Sequence, residues 1–282
     1  MMNMRKVVII GAGTMGAGIA EVCARAGFDT ALCDVEDAVL ERARARIQAS
    51  MVKAVAKGKM AETDAQAAQS RIRFETDTAA VERADLVIEA VPERIDLKKQ
   101  ILHEVSCRTP DALIASNTSS LSVTEIAAAC RHPARVIGLH FFNPVPVMSL
   151  LEIVRAEQNE DAAVDAALAF AARLDKSPIV VRDMPGFATS RLGIALGMEA
   201  IRMLEQGVAS AEDIDRAMEL GYRHPMGPLR LTDLVGLDVR LAIAEHLTRE
   251  LGPQFAPPPL LRQKVRAGKL GKKTGEGFYK WP

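Results

Sequence analysis

From residue 6 to residue 181, short apolar runs alternate with longer stretches of helical periodicity. Several runs are apolar at consecutive positions, which is typical of strands that are covered on both faces. Strand–helix alternation with short connections predicts a parallel, doubly wound α/β sheet. The predicted strands are Lys6–Ile10, Thr30–Cys33, Ile72–Glu75, Leu86–Glu89, Leu113–Ser116, Arg135–His140, Leu150–Val154 and Ile179–Val181. Helices are predicted between many of them, for example over Thr14–Ala26 and Ile95–Ser106.

The segment from Glu36 to Ser70 is too long for a single crossover between two strands. Its composition is rich in alanine and helical on both sides of Gly58, so we expect a helical hairpin inserted into the sheet domain. The predicted hairpin is basic, because it carries Arg42, Arg44, Arg46, Lys53, Lys57 and Lys59.

The character of the chain changes after Val181. The sequence Asp-Met-Pro-Gly at 183–186 is typical of a turn, and beyond it we find helical patterns and no convincing strand. The pattern predicts two domains, residues 1–184 with the sheet and residues 185–282 with helices alone. The predicted C-terminal helices are Gly186–Gln206, Ala211–Leu220, Leu237–Leu251 and Leu260–Ala267. The first is apolar around much of its circumference, which indicates burial within its domain or against another subunit.

Composition and charge exclude several classes of protein. The 282 residues are 49% hydrophobic and 26% charged, and Lys+Arg equals Asp+Glu at 36 each, which disfavours a nucleic-acid partner. The four cysteines form no C-x-x-C pair and no zinc-ligand spacing with histidine, which favours free thiols in a reducing compartment and no metal site. The N-terminal residues lack the pattern of a signal peptide, and no stretch of about 18 apolar residues is free of charge. We therefore expect a cytoplasmic protein without a membrane partner.

A glycine-rich loop follows the first predicted strand. Its sequence, Gly-Ala-Gly-Thr-Met-Gly, fits the pattern G-x-G-x-x-G between a strand and a helix. In this setting Gly11 permits the tight turn, Gly13 lets a pyrophosphate approach the backbone, and Gly16 lets the helix pack on the strand. The helix N-terminus at Thr14 and Met15 offers free N–H groups and a partial positive charge to phosphates. The loop therefore predicts a dinucleotide cofactor.

The second predicted strand is followed by Asp34. A carboxylate roughly 20 residues after such a loop accepts hydrogen bonds from the 2′-hydroxyl of the cofactor ribose and repels a 2′-phosphate. The predicted cofactor is therefore NAD rather than NADP. The alternative is that Asp34 caps the helix that starts nearby.

Two further side chains suggest acid–base chemistry. His140 ends a predicted strand, and Glu152 lies inside the apolar run Leu150–Val154. A buried carboxylate is costly unless it is paired, and two adjacent strands would bring Glu152 to His140. A histidine whose far nitrogen is held by a carboxylate has a fixed tautomer and is a useful general base near neutral pH. The alternative is a core histidine, with Glu152 paired to an arginine or to solvent.

A polar cluster, Ser116–Ser120, follows another apolar strand. One interpretation is that it caps the helix predicted over Val123–Ala128. The functional interpretation is that one of its hydroxyls hydrogen-bonds the alcohol or carbonyl oxygen of a substrate.

Taken together, these blocks resemble the 3-hydroxyacyl-CoA dehydrogenase family. The matching segments are GAGTMGAGIA at 11–20, DLVIEAVPE at 85–93, SNTSSL at 116–121, GLHFFNPVPVM at 138–148, MPGFATSR at 184–191, DIDRAMELGYRHPMGP at 213–228 and GKKTGEGFYK at 271–280. The resemblance implies a Rossmann-type NAD-binding domain, followed by an all-α domain that dimerises. It also implies oxidation of an L-3-hydroxyacyl-CoA, for example 3-hydroxybutyryl-CoA, to the 3-ketoacyl-CoA.

The resemblance assigns a role to particular positions. His140 is similar to the general base of the family, Glu152 to the residue that orients it, and Ser119 to the hydroxyl that faces the reacting oxygen. The positions that match dinucleotide contacts are those of the glycine loop together with Asp34, Glu93, Lys98, Ser119, Asn143 and Lys273. The positions that match contacts to coenzyme A are Ser50 and Lys57, on the predicted basic hairpin. With Ser119, which faces the reacting oxygen, they make up the substrate-binding residues that the resemblance implies.

One position departs from the family pattern. Family members commonly have Asn-Arg after their Pro-Gly-Phe segment, and the Asn is counted among the catalytic residues. This chain has Ser190 at the Asn position. Serine lacks the reach of the amide and its combined donor and acceptor groups, so the departure bears on acyl-chain preference and rate.

Two alternatives stay open. Related dehydrogenases act on 3-hydroxy acids that carry no coenzyme A, such as L-gulonate or carnitine, although the basic hairpin argues against this. The second alternative is a dinucleotide-binding protein on the same scaffold without catalytic activity.

Overall fold

The computed structural model describes residues 4–282, which form two compact units. The first, here called the sheet unit, ends at Asp183, and the second, the helical unit, comprises Met184–Pro282. The strands are β1 (Lys6–Ile10), β2 (Asp29–Cys33), β3 (Ile72–Glu75), β4 (Leu86–Glu89), β5 (Leu113–Ser116), β6 (Val136–Phe141), β7 (Leu150–Arg155) and β8 (Ser177–Arg182). The helices of the sheet unit are α1 (Thr14–Arg25), α2 (Asp37–Ala56), α3 (Glu62–Ser70), α4 (Ile95–Arg108), α5 (Val123–Ala128) and α6 (Asp161–Arg173).

The eight strands form one sheet in the order β3-β2-β1-β4-β5-β6-β7-β8. The first six in this order run parallel, which confirms the doubly wound α/β fold. The sheet departs from the predicted parallel arrangement at one edge, where β7 is antiparallel to β6 and β8 is parallel to β7. Residues 142–149 are too few for a crossover, so the chain must turn back after β6. Helix α6 supplies the longer crossover from β7 to β8.

The predicted helical hairpin is present and consists of α2 and α3. The turn between them contains Gly58, whose φ of +65° lies in the left-handed region that favours glycine. Buried residues of α2 recur at helical spacing, which gives the helix one apolar side for packing on α1 and α3. They are Leu40, Ala43, Ile47 and Met51.

The helical unit contains α7 (Thr189–Glu205), α8 (Ala211–Gly221), α9 (Pro228–Val235), α10 (Leu237–Leu251) and α11 (Pro259–Arg266). Helix α7 begins three residues later than predicted, because Gly186 and Phe187 have φ values of +77° and +48°, which no right-handed helix accepts. Helix α9 is absent from the prediction, although Pro228 at its start and Gly236 after its end are standard helix signals. None of the helices between residues 4 and 282 has the length and apolarity needed to cross a membrane.

Two buried aspartates hold the loops of the helical unit. Asp233 accepts hydrogen bonds from the backbone N–H groups of Phe278 and Tyr279 and from the Trp281 indole, at 2.8–2.9 Å. Asp215 accepts from the start of α9 and, at 2.7 Å, from the Tyr279 hydroxyl. The aromatic C-terminal segment is therefore fixed to the helices by carboxylates whose burial is compensated.

A close approach of β6 and β7 yields a test of the fold. A Cβ atom at Gly138 would lie 2.6 Å from Cβ of Val154 and 3.0 Å from Cγ2 of Val123. We expect Gly138→Ala to lower the free energy of unfolding by about 1–3 kcal/mol, because the two strands must separate. Denaturant unfolding measures this change.

The matched control is Gly221→Ala, since none of the described atoms lies within 4 Å of that Cβ position. This variant should keep the stability of the wild type or gain up to about 1 kcal/mol. Equal stability of the two variants would show that β6 and β7 do not need glycine at residue 138.

Candidate active site

The strand order reverses between β1 and β4, and such reversals form the ligand crevice of doubly wound sheets. The glycine loop leaves β1 at this point. Gly11 has φ +100°, donates its N–H to the Cys33 carbonyl at 2.8 Å, and leaves no room for a side chain because Ala90 O would lie 2.7 Å from its Cβ. The turn thus brings the backbone ends of β1, β2 and β4 together.

The other two glycines of the loop have different surroundings. A Cβ at Gly16 would lie 1.8 Å from Gly11 O, so only glycine lets α1 pack on the turn. At Gly13, by contrast, no heavy atom of the described residues lies within 4 Å of the Cβ position. Gly13 is also the N-cap of α1 and provides no capping side chain for the N–H groups of the first turn. An exposed, uncapped helix N-terminus beside a bare backbone fits the pyrophosphate of a dinucleotide.

Asp34 follows β2 and supports this loop. Its Oδ2 accepts a hydrogen bond from the Ala12 N–H at 2.8 Å, and its Oδ1 accepts one from the Glu36 N–H at 3.3 Å. The N-cap of α2 is Glu36, so Asp34 is not the cap of that helix. The carboxylate therefore lies at the carboxyl end of β2, next to the glycine loop, where a ribose-binding acid is expected.

A buried ion pair lies at the end of β4. The carboxylate of Glu89 is fully buried and lies 2.6 Å from Nζ of Lys98, which is itself 1% exposed. Ser116 Oγ donates to Glu89 at 2.6 Å, and the Val91 N–H donates at 2.7 Å. These bonds offset the desolvation of both charges and fix the first turn of α4 against the ends of β4 and β5.

Lys98 also reaches Glu93, whose Oε2 lies 3.3 Å from Nζ. Oε1 of Glu93 accepts hydrogen bonds from Thr118 Oγ1 at 2.6 Å, from the Ser119 N–H at 2.8 Å and from Ser119 Oγ at 3.3 Å. Burial opposes ionisation of Glu93, but the charge of Lys98 and these hydrogen bonds outweigh it and lower the pKa of the carboxyl below its usual range. Glu93 is therefore ionised at neutral pH and orients Ser119.

The capping interpretation of residues 116–120 does not fit this geometry. The N-cap of α5 is Ser122, which accepts from the Glu125 N–H. The cluster instead donates hydrogen bonds to two glutamates. Ser116 donates to Glu89, and Thr118 and Ser119 donate to Glu93.

His140 and Glu152 are directly opposite each other in the antiparallel pairing of β6 and β7. Nδ1 of His140 lies 2.7 Å from Oε2 of Glu152, and the two side chains are 8% and 0% exposed. A carboxylate at Nδ1 favours the tautomer of the imidazole that carries its proton on this nitrogen. The ring of Phe142 lies against the imidazole, with centroids 4.4 Å apart.

The remaining candidate residues occupy several places. In the sheet unit, Asn143 is exposed in the loop after β6, Lys57 is exposed at the end of α2, and Ser50 is half-buried about two turns earlier on the same helix. In the helical unit, Ser190 is half-buried in the first turn of α7, and Nζ of Lys273 lies 2.6 Å from both carboxylate oxygens of Asp238.

Sequence reasoning missed two contacts at this edge of the sheet. Arg46 donates from Nη1 to Thr14 Oγ1 at 2.6 Å, which places a cation beside the start of α1. Asn117 Oδ1 accepts from the Phe141 N–H at 3.0 Å and links the ends of β5 and β6. The position of Asn117 directly after an apolar strand was a signal for its contact with Phe141. Nothing in the local sequence indicated the contact between Arg46 and Thr14.

Comparisons with known proteins show which family the chain is similar to. The model of the 3-hydroxyacyl-CoA dehydrogenase NAD-binding domain matches residues 6–184, and that of the family's C-terminal domain matches residues 186–281. The chain is 44% identical to a 3-hydroxybutyryl-CoA dehydrogenase of Mycobacterium tuberculosis over 98% of both chains. It is 43% identical to a probable 3-hydroxybutyryl-CoA dehydrogenase of Bacillus subtilis, over 99% of this chain and 98% of the other. The solved structure of (S)-3-hydroxybutyryl-CoA dehydrogenase from Ralstonia eutropha superposes with a TM-score of 0.96, at 42% identity, over 99% of this chain and 100% of the other.

The glycine loop supports a paired test. Gly16→Ala should lose about 1–3 kcal/mol of stability or fail to fold, because its Cβ would overlap the Gly11 carbonyl. Gly13→Ala should lose less than about 1 kcal/mol, since the chain leaves space there. It should nevertheless weaken NAD binding by roughly tenfold or more, because the methyl group would occupy the approach of the pyrophosphate.

Thermal unfolding and titration with NADH, followed by fluorescence, separate these effects. If Gly13→Ala bound NADH like the wild type, the pyrophosphate would not approach the backbone at this residue.

Proposed function

The chain belongs to the 3-hydroxyacyl-CoA dehydrogenase family, and we propose that it oxidises short-chain L-3-hydroxyacyl-CoA esters such as 3-hydroxybutyryl-CoA with NAD. Its N-terminal part is the NAD-binding domain of that family. The observation that carries the proposal for the reaction is the buried contact between His140 and Glu152. In the same sheet, the glycine loop follows β1, and Ser119 follows β5 and is bound to Glu93.

In the oxidation, bound NAD supplies the nicotinamide ring that accepts the hydride from C3 of the substrate. His140 accepts the proton of the C3 hydroxyl through Nε2, because its Nδ1 is held by Glu152. The imidazolium that forms is stabilised by the Glu152 carboxylate at 2.7 Å. In the reverse direction the same nitrogen returns the proton to the ketone oxygen.

Ser119 is proposed to hydrogen-bond the reacting oxygen. Glu93 accepts from both the backbone N–H and the hydroxyl of Ser119, so it positions this residue. The lysine that keeps Glu93 ionised is fully buried, which makes Lys98 a positioning residue for the same site.

The coenzyme A part of the substrate is proposed to bind along the basic hairpin of α2 and α3. Lys57 is exposed at its turn and offers a charge to a phosphate, and Ser50 lies further back on the same helix. Ser190, at the position where the family commonly has asparagine, is proposed to contact the acyl part of the substrate.

We further propose a homodimer that forms through the helical unit, in a reducing, cytoplasmic compartment in which the four cysteines stay free. Large apolar side chains are exposed on three helices, α7, α9 and α10, that pack against one another. Exposed apolar surface of this kind marks protein interfaces. The side chains are Leu192, Leu196, Leu231, Leu234, Val235 and Val239.

The central prediction concerns the acid–base pair. His140→Ala should lower kcat by roughly 100- to 10,000-fold while NADH binding persists, because the proton acceptor is lost. Glu152→Gln keeps the size of the side chain and should also lower kcat with little change in the KM for NAD, because the imidazolium loses its charged partner. NADH formation from 3-hydroxybutyryl-CoA measures both.

A control and a contrary result complete this test. Glu157→Gln is a suitable control outside the site, since it makes the same change as Glu152→Gln at an exposed glutamate after β7. If His140→Ala turned over like the wild type, the proposed proton transfer would be wrong. If the wild type bound NADH and oxidised only free 3-hydroxy acids, the assignment of the coenzyme A ester would be wrong.

The proposed dimer has its own test. Leu196 is 45% exposed on α7. Because a charge is costly to bury in an apolar interface, Leu196→Glu should convert dimers to monomers. Sedimentation experiments measure this change. Val52→Glu alters an exposed apolar side chain on α2, outside the helical unit, and should leave the oligomeric state unchanged. A wild-type protein that sediments as a monomer at micromolar concentration would refute the proposal.

A further inference from the structure

Arg46 is a cation that α2 places beside the start of α1. It lies on the exposed side of α2, and its Nη1 donates a hydrogen bond to Oγ1 of Thr14 at 2.6 Å. Thr14 is the first residue of α1 and directly follows Gly13 of the glycine loop. The guanidinium is therefore held beside the helix N-terminus that fits the pyrophosphate of a dinucleotide.

The charge of Arg46 is not compensated by the chain. Within residues 4–282 no carboxylate forms an ion pair with its guanidinium. Arg44, two residues earlier, shows the contrast, because it pairs with Glu41 at 3.4 Å and lies 4.1 Å from the ring centre of Phe74. A guanidinium has several N–H donors, and the contact with Thr14 uses one of them. Arg46 therefore has donors left for a ligand.

The first turn of α1 also differs from those of the other helices in the sheet unit. It contains no acidic residue, whereas each of the others has at least one, which stabilises a positive helix N-terminus. These acidic residues are Asp37 in α2, Glu62 and Asp64 in α3, Asp96 in α4, Glu125 in α5 and Asp161 in α6. At α1 a full positive charge from Arg46 is added to the partial charge of the helix, so the two together favour an anion.

Thr14 connects the cation to this helix N-terminus. A hydroxyl accepts hydrogen bonds through its lone pairs and donates one through its own hydrogen, so Thr14 can accept from Arg46 and still donate to an anion. The first N–H groups of α1 have no capping side chain. A guanidinium, a hydroxyl and free backbone N–H groups are donors suited to an anion with several oxygens, and the forked N–H groups of arginine match a phosphate.

We propose that Arg46 binds the diphosphate of NAD at the start of α1. The NAD-binding domain is the one that the family model matches, and the predicted contacts in it are the glycine loop and Asp34. The inference adds to them a cation from the inserted hairpin. It depends on the NAD-binding domain and not on the proposed acyl-CoA substrate.

Two other phosphates offer the same chemistry. Those of coenzyme A have Ser50 and Lys57 as proposed contacts, about one and three turns further along α2. The hydrogen bond of Arg46 to Thr14 favours NAD, because Thr14 belongs to the glycine loop. The 2′-phosphate of NADP is disfavoured by the carboxylate of Asp34.

The test measures binding without catalysis. NADH and ADP-ribose both contain the diphosphate, whereas adenosine contains no phosphate. In Arg46→Met the Kd for NADH and that for ADP-ribose should both rise by roughly 5- to 20-fold, as expected for the loss of a charge-assisted hydrogen bond at an exposed site. The affinity for adenosine should stay that of the wild type. NADH fluorescence measures the first Kd, and displacement of NADH measures the other two.

Variants with smaller changes separate charge from geometry. Arg46→Lys keeps the charge without the forked donors and should give an intermediate Kd for NADH. Thr14→Val removes the oxygen that holds Arg46 and should also weaken NADH binding. In the double variant of Arg46→Met and Thr14→Val the two losses should be less than additive, because Thr14 acts partly through Arg46.

Ionic strength gives a measurement that a purely structural role of Arg46 would not change. Salt screens the attraction between a cation and a phosphate, so the wild-type Kd for NADH should rise with salt between about 50 and 500 mM. In Arg46→Met this rise should be less steep, because one of the attracting charges is absent.

Arg83→Met is the matched control. It removes an exposed arginine of the sheet unit that precedes β4 and so lies at the amino end of that strand, away from the glycine loop. Its Kd for NADH should equal that of the wild type. Both arginines are exposed, so neither change should alter the temperature of thermal unfolding.

Several results would overturn the inference. An unchanged Kd for NADH in Arg46→Met would exclude a contact with the cofactor. A higher KM for 3-hydroxybutyryl-CoA with an unchanged Kd for NADH would assign the arginine to the phosphates of coenzyme A. A loss of affinity confined to NADPH would assign it to a 2′-phosphate. Failure of the wild type to oxidise the ester would refute the proposed reaction and leave this binding test intact.

Discussion

The antiparallel pairing of β6 and β7 is the constraint on which the candidate site depends. A short connection reverses the chain after β6, and the register then sets Glu152 directly opposite His140. Because cross-strand pairs project from the same face of a sheet, this register alone brings the carboxylate to Nδ1. A shift of one residue would turn Glu152 to the other face and leave a buried carboxylate without its imidazole. The close packing at Gly138 opposes such a shift.

Charge balance accounts for the second half of the site. Lys98 is shared between Glu89 and Glu93, so two carboxylates and one ammonium occupy a small volume at the ends of β4 and β5. The deficit of positive charge is met by neutral donors, among them Ser116 toward Glu89 and Thr118 toward Glu93. This requirement for donors explains why a run of hydroxyl residues follows β5. It also means that Ser119 is held by an ionised acceptor rather than by packing alone.

Local patterns were enough to predict the strands, the hairpin and the glycine loop, because each depends on neighbouring residues. For the same reason they distinguished the part of the chain that contains the sheet from the part that is helical. The direction of β7 was not predicted, since apolar runs are alike in parallel and antiparallel strands. The contact of His140 with Glu152 was expected only as one of two alternatives, because it depends on strand adjacency. The burial of Lys98 also depends on a partner outside its own helix, Glu89. The cap of α5 does not, because Ser122 accepts from the N–H of Glu125 three residues later, so a local pattern could have found it. The family resemblance assigned Lys98 to the cofactor site, but it did not indicate that this side chain is buried.

The helical unit shows how this chain compensates buried charge. Asp233 and Asp215 are nearly inaccessible, and each is met by several hydrogen-bond donors from loops and helix starts. An ionised carboxylate is costly to bury unless donors replace the water that it loses. The two aspartates therefore couple the C-terminal aromatic segment to α8 and α9, because removing either segment would leave a buried carboxylate without its donors.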